Sequence, residues 1–194
     1  MEVLYLHGRG ESPQDPPGDV VLSFPWKGTL NAPPLTSEWI AQPFPNQVAI
    51  VDEWLEDAAG AIGYSWGAWL LLCAVHERIQ RGTPSPPLLL VSCVLGEGNY
   101  TGQGTWKAPR CEEILGALGI GPSTTTTHFD PADLRFVQGK RDRIGPEKGA
   151  SLLVEVGHSV RMVDSGHLMH HSTARQALSE ECKRLVHRMR TQAR

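Results

Sequence analysis

The stretch that decides the fold covers residues 58–75 and reads AAGAIGYSWGAWLLLCAV. Residues 58–63 are small and apolar, which predicts a buried strand. The part from Trp66 to about Gln80 predicts a helix. That helix is apolar nearly all round over residues 68–75, so we expect it to be buried rather than half exposed.

The turn between the two elements has the pattern Gly-x-Ser-x-Gly, as Gly63-Tyr64-Ser65-Trp66-Gly67. The pattern alone is common, but a strand before it and a buried helix after it are the context that a nucleophile elbow requires. Such a turn tolerates little besides glycine at its flanks. It would hold the Ser65 hydroxyl at the carboxyl end of a sheet. The alternative is a glycine-rich turn in which the serine has no chemical role.

Outward from this turn, strand-like and helix-like segments alternate, which is typical of a parallel sheet with crossover helices. Strands are predicted at residues 3–6, 19–24, 58–63, 87–95, 134–138 and 160–163. Helices are predicted over 48–55 with Asn46 as the cap, over 66–80 and 147–156, and over 174–189, with a short one at 112–118. We therefore expect a three-layer α/β/α protein with a mainly parallel sheet of about six strands.

One connection does not fit this pattern. Residues 8–18 join the first two predicted strands and include three prolines, whereas a parallel crossover usually needs about a dozen residues or more. Either this link is a loop without a helix, or the two strands are not adjacent in the sheet.

Length, composition and charge limit the class of protein. The chain has 194 residues, of which 40% are apolar and 20% charged, and this fits one globular domain over residues 1–194. Residues 96–133 break the alternation and are expected to form a lid-like excursion. The net charge of −3 argues against a nucleic-acid binder. The basic stretch at 183–194 is interpreted as a solvated helix end.

Cysteine usage and hydropathy predict a cytoplasmic protein. No apolar run approaches the roughly 18 residues of a membrane span, and the amino terminus has no basic leader or cleavage signature. The cysteines are scattered and lack a Cys-x-x-Cys pair, which favours reduced thiols. They are Cys73, Cys93, Cys111 and Cys182.

Two further residues complete a possible catalytic set with Ser65. Asp142 and His167 each follow the carboxyl end of a predicted strand, so a parallel sheet would bring them to the edge that holds Ser65. A serine becomes nucleophilic when a base takes its proton, and the base needs an acid to orient it. We expect His167 to be the base and Asp142 the acid.

The segment His7-Gly8-Arg9-Gly10 follows the first strand and is a candidate oxyanion loop. An acyl-transfer enzyme needs two donors that point at the developing oxyanion. The backbone N–H of Trp66, directly after Ser65, would be one donor, and the backbone N–H of Arg9 the other. The alternative is a glycine turn that only ends the strand.

These motifs together resemble the α/β-hydrolase superfamily, in which the order Ser, Asp, His also occurs. The opening Leu4-Tyr5-Leu6-His7-Gly8, with Ser12-Pro13 after it, is similar to the short bacterial esterases of the YqiA type. The resemblance implies that Ser65 is the nucleophile, His167 the general base and Asp142 the orienting acid, with Arg9 and Trp66 as oxyanion donors. The chain departs from the superfamily in having six strands instead of eight, and in lacking a helix after the His-Gly loop.

Two alternative assignments stay open at this point. Glu97 follows the strand at 87–95, a position from which some α/β-hydrolases supply the acid. The histidines His158, His167, His170 and His171 could bind zinc, although no acidic partner or Cys-x-x-Cys pair stands at a suitable spacing.

The expected activity is cleavage of a small-molecule carboxylic ester or thioester through an acyl-enzyme. His7, Trp26 and Trp106 are the candidate pocket residues, since aromatic side chains in loops can line an apolar pocket. The alternative for the tryptophans is that they only anchor their loops. No nucleotide, redox or metal cofactor is implied, and the oligomeric state is left open. The alternative function is a non-catalytic α/β-hydrolase-like protein that binds a ligand or partner.

Overall fold

A computed structural model describes residues 1–93, 111–119, 130–143 and 160–192. Within these ranges, six strands form one sheet in the order β2-β1-β3-β4-β5-β6, and every neighbouring pair is parallel. The strands are β1 (Glu2–Leu6), β2 (Thr29–Asn31), β3 (Ala58–Tyr64), β4 (Leu88–Val91), β5 (Leu134–Gly139) and β6 (Val160–Val163).

Helices cover both faces of this sheet. One face carries α3 (Phe44–Glu56), α4 (Trp66–Gln80) and α5 (Cys111–Ala117), and the other carries α1 (Gly18–Ser23) and α6 (Ser172–Gln192). A short α2 (Ser37–Ile40) precedes α3, and a 3-10 turn (Pro131–Asp133) precedes β5. Since strand side chains alternate between faces, Leu4 and Leu6 join the first core and Val3 and Tyr5 the second. The predicted three-layer α/β/α arrangement with a parallel sheet is confirmed.

The strand predicted at residues 19–24 is wrong, because this segment forms the helix α1. Pro17 stands at its N-cap and Asp19 in its first turn, where an acidic side chain complements the helix dipole. Val20 and Val21 bury their side chains in the core shared with α6, and Asp19 pairs with Arg175 of α6 at 2.5 Å. Packing on α6 therefore overrides the strand preference of the apolar run.

The edge strand is instead β2, which pairs in parallel with β1. Helix α1 lies in the connection between them, so the helix thought to be absent after the His-Gly loop is present. This also explains the short link, because the segment at 8–18 leads into a helix and not directly into a strand.

The remaining predicted elements are present where the structure describes them, some with different bounds. The helix expected at 48–55 begins earlier, at Phe44, with Pro43 at the N-cap, so Asn46 as the cap is wrong. The strand expected at 87–95 is the shorter β4, which ends at Val91 and is followed by Ser92 with a φ of 46°. The short helix expected at 112–118 is α5, and its Ile114, together with Leu118 directly after it, is buried in the core beside α4.

Several predictions lie outside the described residues. The helix expected at 147–156 is one, and most of the lid-like segment 96–133 is another, so the lid stays a prediction. No helix in the described parts of the chain combines the length and the apolar character needed to cross a membrane. Cys73 and Cys182 are buried free thiols, and Cys93 is buried as well. The cytoplasmic location stays a prediction.

Candidate active site

Ser65 lies in a strained turn between β3 and α4, as the sequence predicts. Its φ of 52° and ψ of −112° describe a backbone conformation that residues other than glycine rarely adopt. The turn is held on both sides, because the Ser65 N–H donates to the Val91 carbonyl at 2.9 Å and the Trp69 N–H donates to the Ser65 carbonyl at 3.2 Å. The serine is therefore fixed at the carboxyl end of the sheet.

The two glycines of the motif permit close backbone approaches. A Cβ on Gly63 would lie 2.5 Å from the Ala68 Cα, and a Cβ on Gly67 would lie 2.3 Å from the Leu6 carbonyl oxygen. Both obstacles are backbone atoms, which cannot turn away as a flexible side chain would. Close packing therefore requires glycine at both positions, whatever the chemical role of the motif.

We expect Gly67→Ala to lower the free energy of unfolding by about 3 kcal/mol, because the new methyl group must push β1 and α4 apart. The matched control is Gly166→Ala, since a Cβ on Gly166 meets nothing within 4 Å. Denaturant unfolding of both variants measures the difference. Equal stability of the two variants would contradict the steric account.

The structure brings Ser65, His167 and Asp142 together in one hydrogen-bonded series. His167 Nε2 lies 2.8 Å from Ser65 Oγ, and His167 Nδ1 lies 2.9 Å from Asp142 Oδ2. With Nδ1–H donating to the carboxylate, Nε2 can accept from the Ser65 hydroxyl. Such a series can deprotonate a serine while the carboxylate stabilises the resulting imidazolium.

Asp142 is buried and held from several directions. Gln138, on β5, donates its Nε2–H to Asp142 Oδ2 at 2.8 Å, and the Asp142 N–H donates to the Gly139 carbonyl at 3.2 Å. The Arg141 N–H donates to the Ser165 carbonyl at 3.0 Å, which ties the Asp142 loop to the His167 loop. The two loops therefore form one unit at this edge of the sheet.

A second carboxylate, that of Glu11, lies close enough to His167 to interact with it electrostatically. The Tyr64 ring lies 5.3 Å from the His167 ring, and its hydroxyl is 3.5 Å from Glu11 Oε1. Burial raises the pKa of the Glu11 carboxyl, while the neighbouring His167 and the Tyr64 hydroxyl act in the opposite direction. Burial also raises the pKa of the Tyr64 hydroxyl, so Tyr64 stays neutral. Neither residue was predicted, since Tyr64 occupies a variable position of the Gly-x-Ser-x-Gly pattern and Glu11 stands in no recognisable motif.

The predicted oxyanion loop is adjacent to the nucleophile turn. The exposed Arg9 places its guanidinium carbon 5.7 Å from the centre of the Trp66 ring. Trp66 is the first residue of α4, so its N–H points out of the amino end of that helix. The structure thus brings together the two residues whose backbone N–H groups were expected to act as donors.

The position of His7 differs from the one expected for a residue that lines the substrate pocket. Its side chain is only 1% exposed, and both ring nitrogens contact the backbone. Nδ1–H donates to the Gly8 carbonyl at 2.8 Å, and Nε2 accepts from the Leu35 N–H at 2.9 Å. The ring therefore joins the loop after β1 to the segment before α2.

This environment predicts a pH-dependent contribution of His7 to stability. Burial lowers the pKa of the His7 imidazole below its ordinary value of 6.5. As the pH falls below that value, the unfolded chain binds the proton first, so the free energy of unfolding falls. We expect His7→Asn to reduce this loss between neutral and mildly acidic pH, and the exposed His187→Asn to leave it unchanged. Denaturant unfolding across this pH range measures the loss, and equal pH profiles for all three proteins would contradict the expectation.

The other candidate residues are placed as follows. Trp26 lies beside Met1 and Met189, at the amino end of the sheet and thus opposite Ser65, and its indole N–H donates to the Val21 carbonyl at 2.8 Å. This position corrects its assignment to a substrate pocket near the serine. It follows from the unpredicted helix α1, which carries Trp26 away from the carboxyl edge. Trp106 lies outside the described residues.

The alternative acid and the proposed zinc cluster are only partly described. Glu97 and His158 lie outside the described residues. The rings of His170 and His171 are tilted by 32° with their centres 4.3 Å apart, and His171 Nε2 lies 3.2 Å from Arg141 Nη2. Across the part of the chain that the structure describes, no group of three or more His, Cys, Asp or Glu side chains is arranged to hold a metal ion.

The sheet order, the helices on both faces and the serine-bearing turn after β3 together define the α/β-hydrolase fold. No protein-family model matches the chain, and no curated protein matches it. Solved structures do match it over most of its length. The three structures described below are only 14–15% identical to this chain, so the likeness shows the fold alone. The closer resemblance to YqiA-type esterases stays a prediction.

Three of the similar structures illustrate the match. Mouse alpha/beta hydrolase domain-containing protein 10 has a TM-score of 0.64 and 15% identity, covering 95% of this chain and 89% of that chain. A protein of Xanthomonas campestris pv. campestris assigned to the alpha/beta hydrolase superfamily has a TM-score of 0.62 and 14% identity, covering 96% of both chains. One of the metagenome-derived lipolytic enzymes LipS and LipT has a TM-score of 0.61 and 15% identity, covering 96% of this chain and 93% of that chain.

Proposed function

We propose that this chain is a serine hydrolase that cleaves a carboxylic ester or thioester through an acyl-enzyme on Ser65. The observation that carries the proposal is the continuous series from Ser65 Oγ to His167 Nε2 at 2.8 Å and from His167 Nδ1 to Asp142 Oδ2 at 2.9 Å. A binding protein has no need for this alignment, whereas acyl transfer requires all three groups.

In the first step, Ser65 Oγ attacks the carbonyl carbon of the substrate while His167 Nε2 takes the hydroxyl proton. The carbonyl π electrons move to oxygen and give a tetrahedral oxyanion. The imidazolium is stabilised by Asp142, whose carboxylate is kept in place by the Gln138 amide. When the intermediate collapses, the bond to the alcohol or thiol breaks and Nε2–H protonates the leaving group.

In the second step, water replaces the leaving group beside His167. Nε2 takes a proton from the water, the water oxygen attacks the acyl carbon, and the second tetrahedral intermediate expels Ser65 Oγ. The proton held on Nε2 returns to that oxygen. The products are a carboxylic acid and the restored enzyme, so no cofactor enters the balance.

The oxyanion in both steps would be held by the backbone N–H groups of Trp66 and Arg9. Support comes from the position of the Arg9 guanidinium, whose carbon lies 5.7 Å from the centre of the Trp66 ring, so the loop after β1 lies near the amino end of α4. Donors fixed before the reaction stabilise the developing charge without having to reorganise.

The acyl-enzyme can be tested by partition between water and methanol. We expect p-nitrophenyl esters and thioesters with the same acyl group to give the same ratio of acid to methyl ester, because both pass through one acylated Ser65. The screen should include short, medium and long acyl chains. A product ratio that changes with the leaving group would mean direct attack by water and would contradict the proposal.

A further inference from the structure

Ser92 is a buried polar residue for which the steps above have no role. It follows β4 directly, its side chain is fully buried, and its φ is 46°. The preceding strand β4 lies between β3, which leads to Ser65, and β5, which leads to Asp142. Ser92 thus stands in the middle of the edge that carries the candidate site.

The hydroxyl of Ser92 reaches the main chain of the candidate base. Ser92 Oγ donates to the His167 carbonyl at 2.9 Å, although the two residues are 75 positions apart in the chain. The backbone of Ser92 is itself fixed, because its N–H donates to the Val137 carbonyl of β5 at 2.9 Å. The hydrogen bond therefore joins the His167 loop to the rigid centre of the sheet.

The other backbone hydrogen bonds of that loop lie on either side of His167. The Ser165 carbonyl accepts from the Arg141 N–H at 3.0 Å, and the Met169 N–H reaches the Gly166 carbonyl at a long 3.4 Å. Among the described residues, Ser92 makes the one hydrogen bond to the backbone of His167 itself. This hydroxyl therefore ties the main chain of His167 to the sheet.

The backbone conformation of Ser92 gives a second, independent reason. A φ of 46° lies in the left-handed region, where glycine is favoured and a Cβ is a disadvantage. Glycine would fit this position in the chain but would supply no hydroxyl. The presence of serine at this disfavoured φ therefore fits a need for its hydroxyl.

We propose that Ser92 is a positioning residue whose hydroxyl fixes the main chain of His167, so that Nε2 stays in line with Ser65 Oγ. This inference rests on the proposed function, in which His167 is the base. Proton transfer and attack are sensitive to displacements of about 1 Å, which can reduce turnover by about 100-fold. The effect of losing the hydroxyl should therefore fall on kcat more than on KM.

Two substitutions separate the hydroxyl from the backbone conformation. Ser92→Ala and Ser92→Gly both remove the hydrogen bond, but only glycine relieves the disfavoured φ. We expect both to lower kcat by a similar factor, about 10- to 100-fold, with KM changed by less than about threefold. Ser92→Cys, which keeps the side-chain shape and a weak donor, should lie between them and the wild type. If Ser92→Ala or Ser92→Gly fails to fold, Ser92→Cys takes its place in the comparison with the wild type.

Proton NMR of the His167 Nδ1–H supplies a readout that needs no turnover. We expect its low-field resonance, due to the bond with Asp142, to be shifted or broadened in Ser92→Ala and Ser92→Gly. Wild-type kcat in Ser92→Gly, or in both variants, would overturn the inference, as would an unchanged resonance. Absence of turnover by the wild type, together with a changed resonance, would overturn the proposed function and leave the positioning role supported.

Discussion

Replacing Ser65 with alanine is expected to lower kcat by about 10⁴- to 10⁶-fold while leaving the fold intact. The loss is large because alanine has no oxygen to form the acyl-enzyme, so any residual rate depends on water attack beside the oxyanion donors. The fold should survive, because the turn is held by the backbone bonds of Ser65 to Val91 and Trp69 and not by the hydroxyl. Steady-state kinetics and thermal unfolding measure the two properties.

The matched control is Ser165→Ala. Ser165 is buried in the His167 loop, and its Oγ has no hydrogen-bond partner among the described residues. The same atom is thus removed near the site without loss of a bond, and we expect kcat to stay within about twofold of the wild type. Activity that survives in Ser65→Ala would mean that the nucleophile is another residue.

Replacing Asp142 with asparagine is expected to lower kcat by about 10⁴-fold. The amide cannot stabilise the imidazolium, and its NH₂ group favours the tautomer of His167 that carries the proton on Nε2. That tautomer cannot accept the Ser65 proton. Gln138 adds to the loss, because its amide now meets an uncharged partner in place of the carboxylate.

Two control variants sharpen this test. Asp164→Asn removes a carboxylate from the neighbouring loop, where Asp164 is exposed and pairs with Arg141 at 3.1 Å. We expect it to change kcat by less than about threefold. Glu97→Gln tests the alternative acid directly, and a larger loss in Glu97→Gln than in Asp142→Asn would reassign the partner of His167.

The elements that the sequence predicted correctly are those whose patterns are local. Residues 58–80 carry a small-residue strand, two glycines with steric roles and an apolar helix, and each feature reports on its own conformation. Residues 19–24 show the opposite case. Their run of apolar side chains resembles a strand, and the helix follows from packing against α6, more than 140 residues away in the chain.

The same distinction applies to the candidate site. Ser65, Asp142 and His167 could be predicted because a parallel sheet gathers the residues that follow its strands at one edge. Ser92, Gln138 and Glu11 could not, since their contacts depend on the exact path of loops from other parts of the chain. Ser92 lies inside the strand predicted at 87–95, whereas the observed strand β4 ends at Val91, so the pattern did not place Ser92 at the edge that carries the site.

The central claim is tested most directly by locating a covalent adduct. The folded protein is treated with a fluorophosphonate, digested, and analysed by mass spectrometry, with His167→Ala and heat-denatured protein as controls. We predict one adduct, on Ser65, that forms in the folded wild type and is nearly absent from both controls. An adduct on another residue, or none under conditions that label a known serine esterase, would contradict the assignment of Ser65 as an activated nucleophile.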